Sequence, residues 1–134
     1  MEKLDLTSFE KALNRLREVI EIYNSDKTNL ITRDSMIQRF EYTYSIALKM
    51  IKRFLSQGAF VENIDGMTFN EMVRLANKMN LLKSNLEIWT IFREKRNLTS
   101  HTYDEQIALN VVEVIPDFKD EAEFLLNKLK ERLS

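Results

Sequence analysis

Apolar residues recur at three-and-four spacing through most of the chain, the period of helices that bury one face. Phe9, Ala12, Leu13, Leu16, Ile20 and Tyr23 form one such stripe and predict a first helix to about Ser25, capped by Thr7 or Ser8. A polar link, Asp26 to Thr32, separates it from a second helix over about Asp34 to Gln57. That helix carries Ile37, Phe40, Tyr44, Ala47, Leu48, Ile51, Phe54 and Leu55 on one stripe. Gly58 stands where a left-handed C-terminal cap is expected, and Asn63-Ile64-Asp65-Gly66 reads as a loop. Thr68 and Glu71 have capping-box spacing and open a short helix to about Asn80. Ser84 and Glu87 repeat the device before a fourth helix through Trp89, Phe92 and Arg96.

After the polar stretch Asn97 to Ser100, helical pattern resumes from about His101 to Val114. Pro116 is expected to break or kink the path, since it removes a backbone donor and clashes with the preceding turn. A last helix follows to about Leu133, with Phe118, Ala122, Leu125, Leu126, Leu129 and Leu133 inward. No repeat, low-complexity tract or flexible linker interrupts the pattern, so residues 1–134 read as one domain. Amphipathic helices on short links predict an all-α, antiparallel four- to five-helix bundle. The apolar stripes of the first two helices are wide, and a second copy of the chain is the simplest partner to cover them.

Composition narrows the chemistry. Two glycines and one proline among 134 residues leave too few turn residues for a β or nucleotide-binding α/β fold. The chain has no cysteine, which removes disulfides and thiolate catalysis. The N-terminal Met1-Glu2-Lys3-Leu4-Asp5 lacks a signal-peptide layout, and no apolar run approaches the ~20 residues of a membrane span. A soluble cytoplasmic protein is therefore expected. A net charge of −1 supplies no global field for nucleic acid, so DNA is not expected and any RNA contact must come from a local patch. There is no Gly-rich phosphate loop, and no Gly-Ser with paired aspartates of the kind a nucleotidyltransferase uses to hold magnesium. No metal site and no cofactor are expected. The chain therefore cannot be such a transferase.

The densest chemistry lies in Arg93-Glu94-Lys95-Arg96-Asn97-Leu98-Thr99-Ser100-His101-Thr102-Tyr103-Asp104. His101 is the sole histidine, five residues after Arg96 and two before Tyr103. An imidazole titrates near neutral pH and a guanidinium does not, so the pair can move a proton and hold a phosphate. On a straight helix Arg96 and His101 diverge by roughly 140°. Convergence therefore needs a break between them, for which Asn97, Thr99 and Ser100 are suited, or a two-fold axis. Arg96 also lies in phase with Trp89 and Phe92, where a cation is costly unless paired. In the bland alternative, His101 is a surface or capping residue and Tyr103 a half-buried phenol. Arg39, Glu41 and Tyr42 are then a solvated face, with Lys49, Lys52 and Arg53 solvent-facing charges. Trp89 reads as core or dimer interface rather than a base-stacking platform.

Arg96-Asn97-Leu98-Thr99-Ser100-His101 resembles the signature of HEPN domains (higher eukaryotes and prokaryotes nucleotide-binding): an arginine, four to six residues often beginning with a polar one, and a histidine. The extension to Tyr103 resembles the HepT branch. The segments Ile37 to Thr43 and Trp89 to Asp104 resemble nucleotidyltransferase substrate-binding subunits, and the likeness covers nearly the whole chain. The resemblance implies an all-helical homodimer whose Arg/His motifs share a cleft. It implies a minimal nucleotidyltransferase encoded by a neighbouring gene, the two acting as toxin and antitoxin. It also implies that the cleft binds nucleotide or RNA and, if catalytic, cleaves RNA as a metal-independent endoribonuclease. On that reading Arg96 and His101 are the catalytic pair, Asn97, Tyr103 and Asp104 support them, and Arg93, Arg96 and Arg39 bind nucleotide or RNA. Tyr103 is then the acceptor of AMP from the partner. The other reading is a non-catalytic subunit that presents nucleotide or substrate to the transferase.

Overall fold

The computed structural model describes residues 4–57 and 64–133. Five α-helices account for most of it: α1 (Thr7–Ser25), α2 (Leu30–Gln57), α3 (Phe69–Lys78), α4 (Leu86–Asn97) and α5 (Glu105–Leu133). Short 3-10 turns at Ile64–Gly66 and Thr99–His101 precede α3 and α5. No strand occurs among the described residues. The all-α bundle expected from the periodicity is what the chain forms. The Gly58 cap and the Asn63 end of the loop lie outside the described residues.

The long helices α1, α2 and α5 pack on one another, and α3 and α4 close the side of the bundle. The core is one contiguous cluster that runs from Leu4 to Leu129. At its centre the rings of Phe40, Trp89, Phe92 and Phe118 meet edge to face. Phe40 and Phe118 lie 5.2 Å apart, Phe92 and Phe118 5.4 Å, and Trp89 and Phe92 5.5 Å. Such edge-on pairs add to area burial because each positive ring edge meets a negative ring face. Trp89 is fully buried here and offers no face to a nucleobase.

Local details depart from the sequence reading in instructive ways. Helix α2 begins at Leu30, four residues before the expected start, so the link after α1 shrinks to a tight turn. Asp26 closes that turn by accepting from the backbone N–H and hydroxyl of Thr28 at 3.1 and 2.6 Å. Neither Thr7 nor Ser8 caps α1: Leu6 holds the cap position, and the Asp5 carboxylate accepts from Thr7 N–H at 2.9 Å. The Thr68/Glu71 capping box forms with both arms, as expected. At α4 the cap is Asn85, not Ser84, because the Asn85 side chain reaches Ile88 N–H at 3.3 Å.

The largest correction concerns the C-terminal third. One helix, α5, runs through Pro116 where two helices with a break were expected, and it starts at Glu105 rather than His101. An interior proline costs about 3 kcal/mol in an exposed helix. Here Ile115 and Phe118 are fully buried on either side of an exposed Pro116, so core packing holds the helix together across the missing bond. No described helix is long and apolar enough to cross a membrane.

Candidate functional site

The residues of the Arg96–His101 motif fall on the junction between α4 and α5. Helix α4 ends at Asn97, Leu98 holds its C-cap, and Thr99–His101 tightens into a 3-10 turn. A helix break between Arg96 and His101, one of the two routes expected for bringing them together, is therefore present. The Thr99 hydroxyl, with one hydrogen to donate, lies 2.8 Å from the Arg96 carbonyl at the helix end and 2.9 Å from Glu41 Oε2, so it competes for the backbone there. Asp104 then caps α5, accepting from the N–H groups of Gln106 and Ile107 at 3.0 and 3.2 Å. This gives Asp104 a structural duty at the edge of the motif.

Two side chains of α2, a carboxylate and a guanidinium, pin the junction from outside it. Glu41 of α2 sits 2.9 Å from the Thr99 hydroxyl through Oε2 and 3.7 Å from Arg96 Nη2 through Oε1. One side chain thus ties the turn and the arginine to the bundle. On the far side of the turn, buried Arg33 meets the first residue of α5, Glu105, in a bidentate pair at 2.7 and 2.9 Å. The guanidinium holds the Glu105 carboxyl below its ordinary value by hydrogen bonding. Sequence reasoning did not find this pair. Its signal was Arg33 at helical spacing from Met36, Ile37 and Phe40, an apolar phase in which a cation needs a partner.

Within the motif the side chains divide by what they touch. Arg96 is half-buried, with its guanidinium in a single long contact to Glu41. His101 is exposed and makes no side-chain hydrogen bond or ion pair among the described residues; its ring lies edge-on to Tyr103, centroids 6.3 Å apart. Tyr103 is 88% exposed, an unusual state for a tyrosine, which places its hydroxyl in open solvent. Asn97 is exposed beside them. Arg93 lies one helical turn before Arg96 and stacks over the Phe69 ring at 4.7 Å. Arg39, by contrast, is held against α1, its Nη1 donating to the Arg15 carbonyl at 2.8 Å. The structure brings Glu41, Arg96 and Thr99 together, and His101 with Tyr103, but directs Arg39 to a different neighbour.

Tyr44 of α2 is buried, and its hydroxyl has no hydrogen-bond partner among the described residues. Burial pushes its phenol up to about 12, and the nearby Arg93 and Arg96 guanidinium groups oppose that rise. Both arginines therefore project their charge over the same buried phenol, which marks them as neighbours in space as well as on α4. Among the described residues no three histidine, cysteine or carboxylate side chains gather closely enough to hold a metal ion.

Comparison with known proteins gives a consistent picture. Residues 4–131 match the family model described as nucleotidyltransferase substrate binding protein like. A Haemophilus influenzae protein named probable ribonuclease HepT is 35% identical over 140 residues, covering 98% of this chain and 95% of that one. A solved Haemophilus influenzae structure, described as the fold of a substrate binding domain of a nucleotidyltransferase, superimposes with a TM-score of 0.84. It shares 32% identity and covers 94% of this chain and 99% of its own. A Thermus thermophilus protein superimposes with a TM-score of 0.74 at 31% identity, covering 90% of this chain and 98% of that one.

Proposed function

This chain belongs to the family of nucleotidyltransferase substrate binding protein-like proteins, and from that premise we propose that it is the RNA- or nucleotide-binding partner of a minimal nucleotidyltransferase and cleaves RNA at the α4–α5 junction. The observation that carries the reading is the exposed His101 and Tyr103 on a braced turn, next to an arginine whose charge one long contact leaves largely uncompensated. An exposed imidazole with no protein partner is free to exchange protons with a ligand. A guanidinium held from behind by Glu41 keeps its remaining donors for a phosphate oxygen.

Metal-free cleavage of RNA needs a base, an acid and a cation. One imidazole takes the proton of a 2′-hydroxyl, and the 2′-oxygen forms a bond to phosphorus. The bond from phosphorus to the 5′-oxygen breaks, and a second imidazole returns a proton to that oxygen. Arg96 stabilises the charge that builds on the phosphoryl oxygens. A single chain offers one histidine, so the base and the acid come from two protomers meeting around a two-fold axis. Exposed apolar side chains such as Ile31, Ile88 and Leu109 are available for such a contact. Asn97 orients the ligand by hydrogen bonding, and Arg93 contributes a second cation. The pair acts in the cytoplasm as toxin and antitoxin: transfer of AMP to the exposed Tyr103 hydroxyl sets a phosphate beside His101 and closes the site.

The test is incubation of purified protein with RNA in EDTA, comparing wild type with Arg96→Ala and His101→Ala. Loss of general acid–base catalysis lowers the rate by about 10²–10⁴. Equal cleavage by all three proteins would end the catalytic assignment. One observation favours a second reading: each chain carries only one histidine, and among the described residues no hydrogen bond or ion pair orients it. A non-catalytic subunit that presents nucleotide to the transferase needs no more than Arg96 and Arg93. Tight nucleotide binding with no RNA cleavage, together with co-purification with the transferase, identifies that case.

A further inference from the structure

A groove of about 360 Å³ opens between α2, the Ile64–Gly66 turn, α3 and α4, beyond the motif as seen from His101. Three cations line it, Lys49 and Lys52 of α2 and Arg93 of α4, against a single carboxylate, Asp65. Asp65 is engaged by Lys52 at 2.7 Å. Lys49 and Arg93 have no carboxylate partner among the described residues. This is a local excess of positive charge on a chain whose net charge is −1. The floor between the cations is apolar, made by Leu48, Phe69 and Met72. A cationic rim around an apolar, partly aromatic floor fits a ligand that has one anionic end and one flat, poorly hydrated end.

The groove is continuous with the motif. Arg93 lines it and stands one turn from Arg96, on the same side of α4, and both charges bear on the Tyr44 phenol. On α2, Ser45 of the groove wall follows Glu41 by one turn and donates to its carbonyl at 3.2 Å. Arg93 therefore joins the groove to the α4 turn that carries Arg96. The groove does not depend on the end of α3 as an anion site; the Thr68/Glu71 capping box there takes up the N–H groups of Thr68 and Glu71.

We propose that this groove is a nucleotide seat: Lys49 and Arg93 hold the phosphate of a nucleoside monophosphate unit, and its base lies against Leu48 and Met72, beside the Phe69 ring that Arg93 covers. The inference rests on the reading of the motif as an RNA- or nucleotide-handling site, for which it supplies the position of the residue flanking the reacting phosphate. The same unit can arrive as free AMP or as one residue of a single-stranded RNA, and the test separates the two.

Fluorescein-labelled hexaadenylate RNA is titrated onto His101→Ala protein, which prevents cleavage during the measurement, with and without Lys49→Glu. Lys49 is exposed, so the substitution leaves the fold intact, and Lys27→Glu in the α1–α2 turn controls for a general change of charge. Lys49→Glu weakens binding about fivefold to tenfold and lowers the salt slope by about one, and Lys27→Glu does neither. Competition by AMP well below the concentration at which inorganic phosphate competes shows that the base is recognised. AMP that fails to compete while RNA binding stays sensitive to Lys49→Glu assigns the seat to a residue within a strand. Unchanged binding on Lys49→Glu, or phosphate competing as well as AMP, overturns the seat. Cleavage by His101→Ala at the wild-type rate removes the catalytic reading and leaves the seat standing. Loss of cleavage with Lys49→Glu binding normally does the reverse.

Discussion

Arg33 and Arg96 each occupy an apolar helical phase, on α2 and on α4, yet the molecule treats them oppositely. Arg33 is buried and closed by Glu105 in two short hydrogen bonds, a geometry that matches the guanidinium fork to a carboxylate. Arg96 is half-exposed and answered by Glu41 at 3.7 Å, and that same carboxylate also serves Thr99. The first arginine is a strut that fixes where α5 begins. The second is a cation placed at an opening with most of its donors unspent. Burial with a short bidentate pair marks structure, even though the Arg33 Nε has no partner among the described residues, whereas partial burial with one long contact marks a place for a ligand.

Substitutions separate the two regions most sharply where activity and stability are read together. His101→Ala has the largest effect, the loss of RNA cleavage described above, and leaves the thermal midpoint unchanged because the ring is exposed. Arg33→Ala does the opposite. It lowers stability by about 1–3 kcal/mol, less than for a wholly buried pair because Glu105 is open to solvent. Urea denaturation measures it, and cleavage persists below the new midpoint. Arg96→Ala changes stability by less than about 1 kcal/mol, since a single long contact at the surface contributes little, while it removes activity. A large stability loss here would recast Arg96 as a second strut.

Acid sharpens the contrast further. Glu105 has a folded-state value depressed below 4.5, so the stability from its pair with Arg33 is fully present above that pH. It is lost as pH falls through the lower folded value. Glu105→Gln therefore flattens the acid side of the stability curve, as seen in thermal melts at a series of pH values; an unchanged acid slope would contradict the strut. The smallest effect belongs to Tyr44→Phe. Removing a buried hydroxyl that lacks a partner shifts stability by no more than about 1 kcal/mol in either direction.

Much of this organisation was readable along the chain. Helix periodicity located α1 to α4 and the two halves of α5, because burying one stripe against neighbours is what stabilises short helices in water. The Thr68/Glu71 box was readable because both partners lie within one turn. The helix break after Asn97 was readable too, because Asn97, Thr99 and Ser100 are side chains that compete for backbone hydrogen bonds. The start of α5 was misplaced because His101 to Asp104 fits the apolar period as a preceding turn, and only the Asp104 cap and the Arg33 clamp decide against it.

By itself, then, the order of residues determined the all-helical class, the stripes that face the core, and the motif at a helix junction. Those properties depend on neighbours within a turn or two. Tertiary structure alone decided that α5 passes through Pro116, that Glu41 holds both Arg96 and Thr99, and that Arg33 is closed while Arg96 stays open. Each of these depends on groups 50 or more residues apart meeting, or on core packing that outweighs a local helix breaker. No local pattern records such encounters, because the free energy that selects them exists only once the helices are packed.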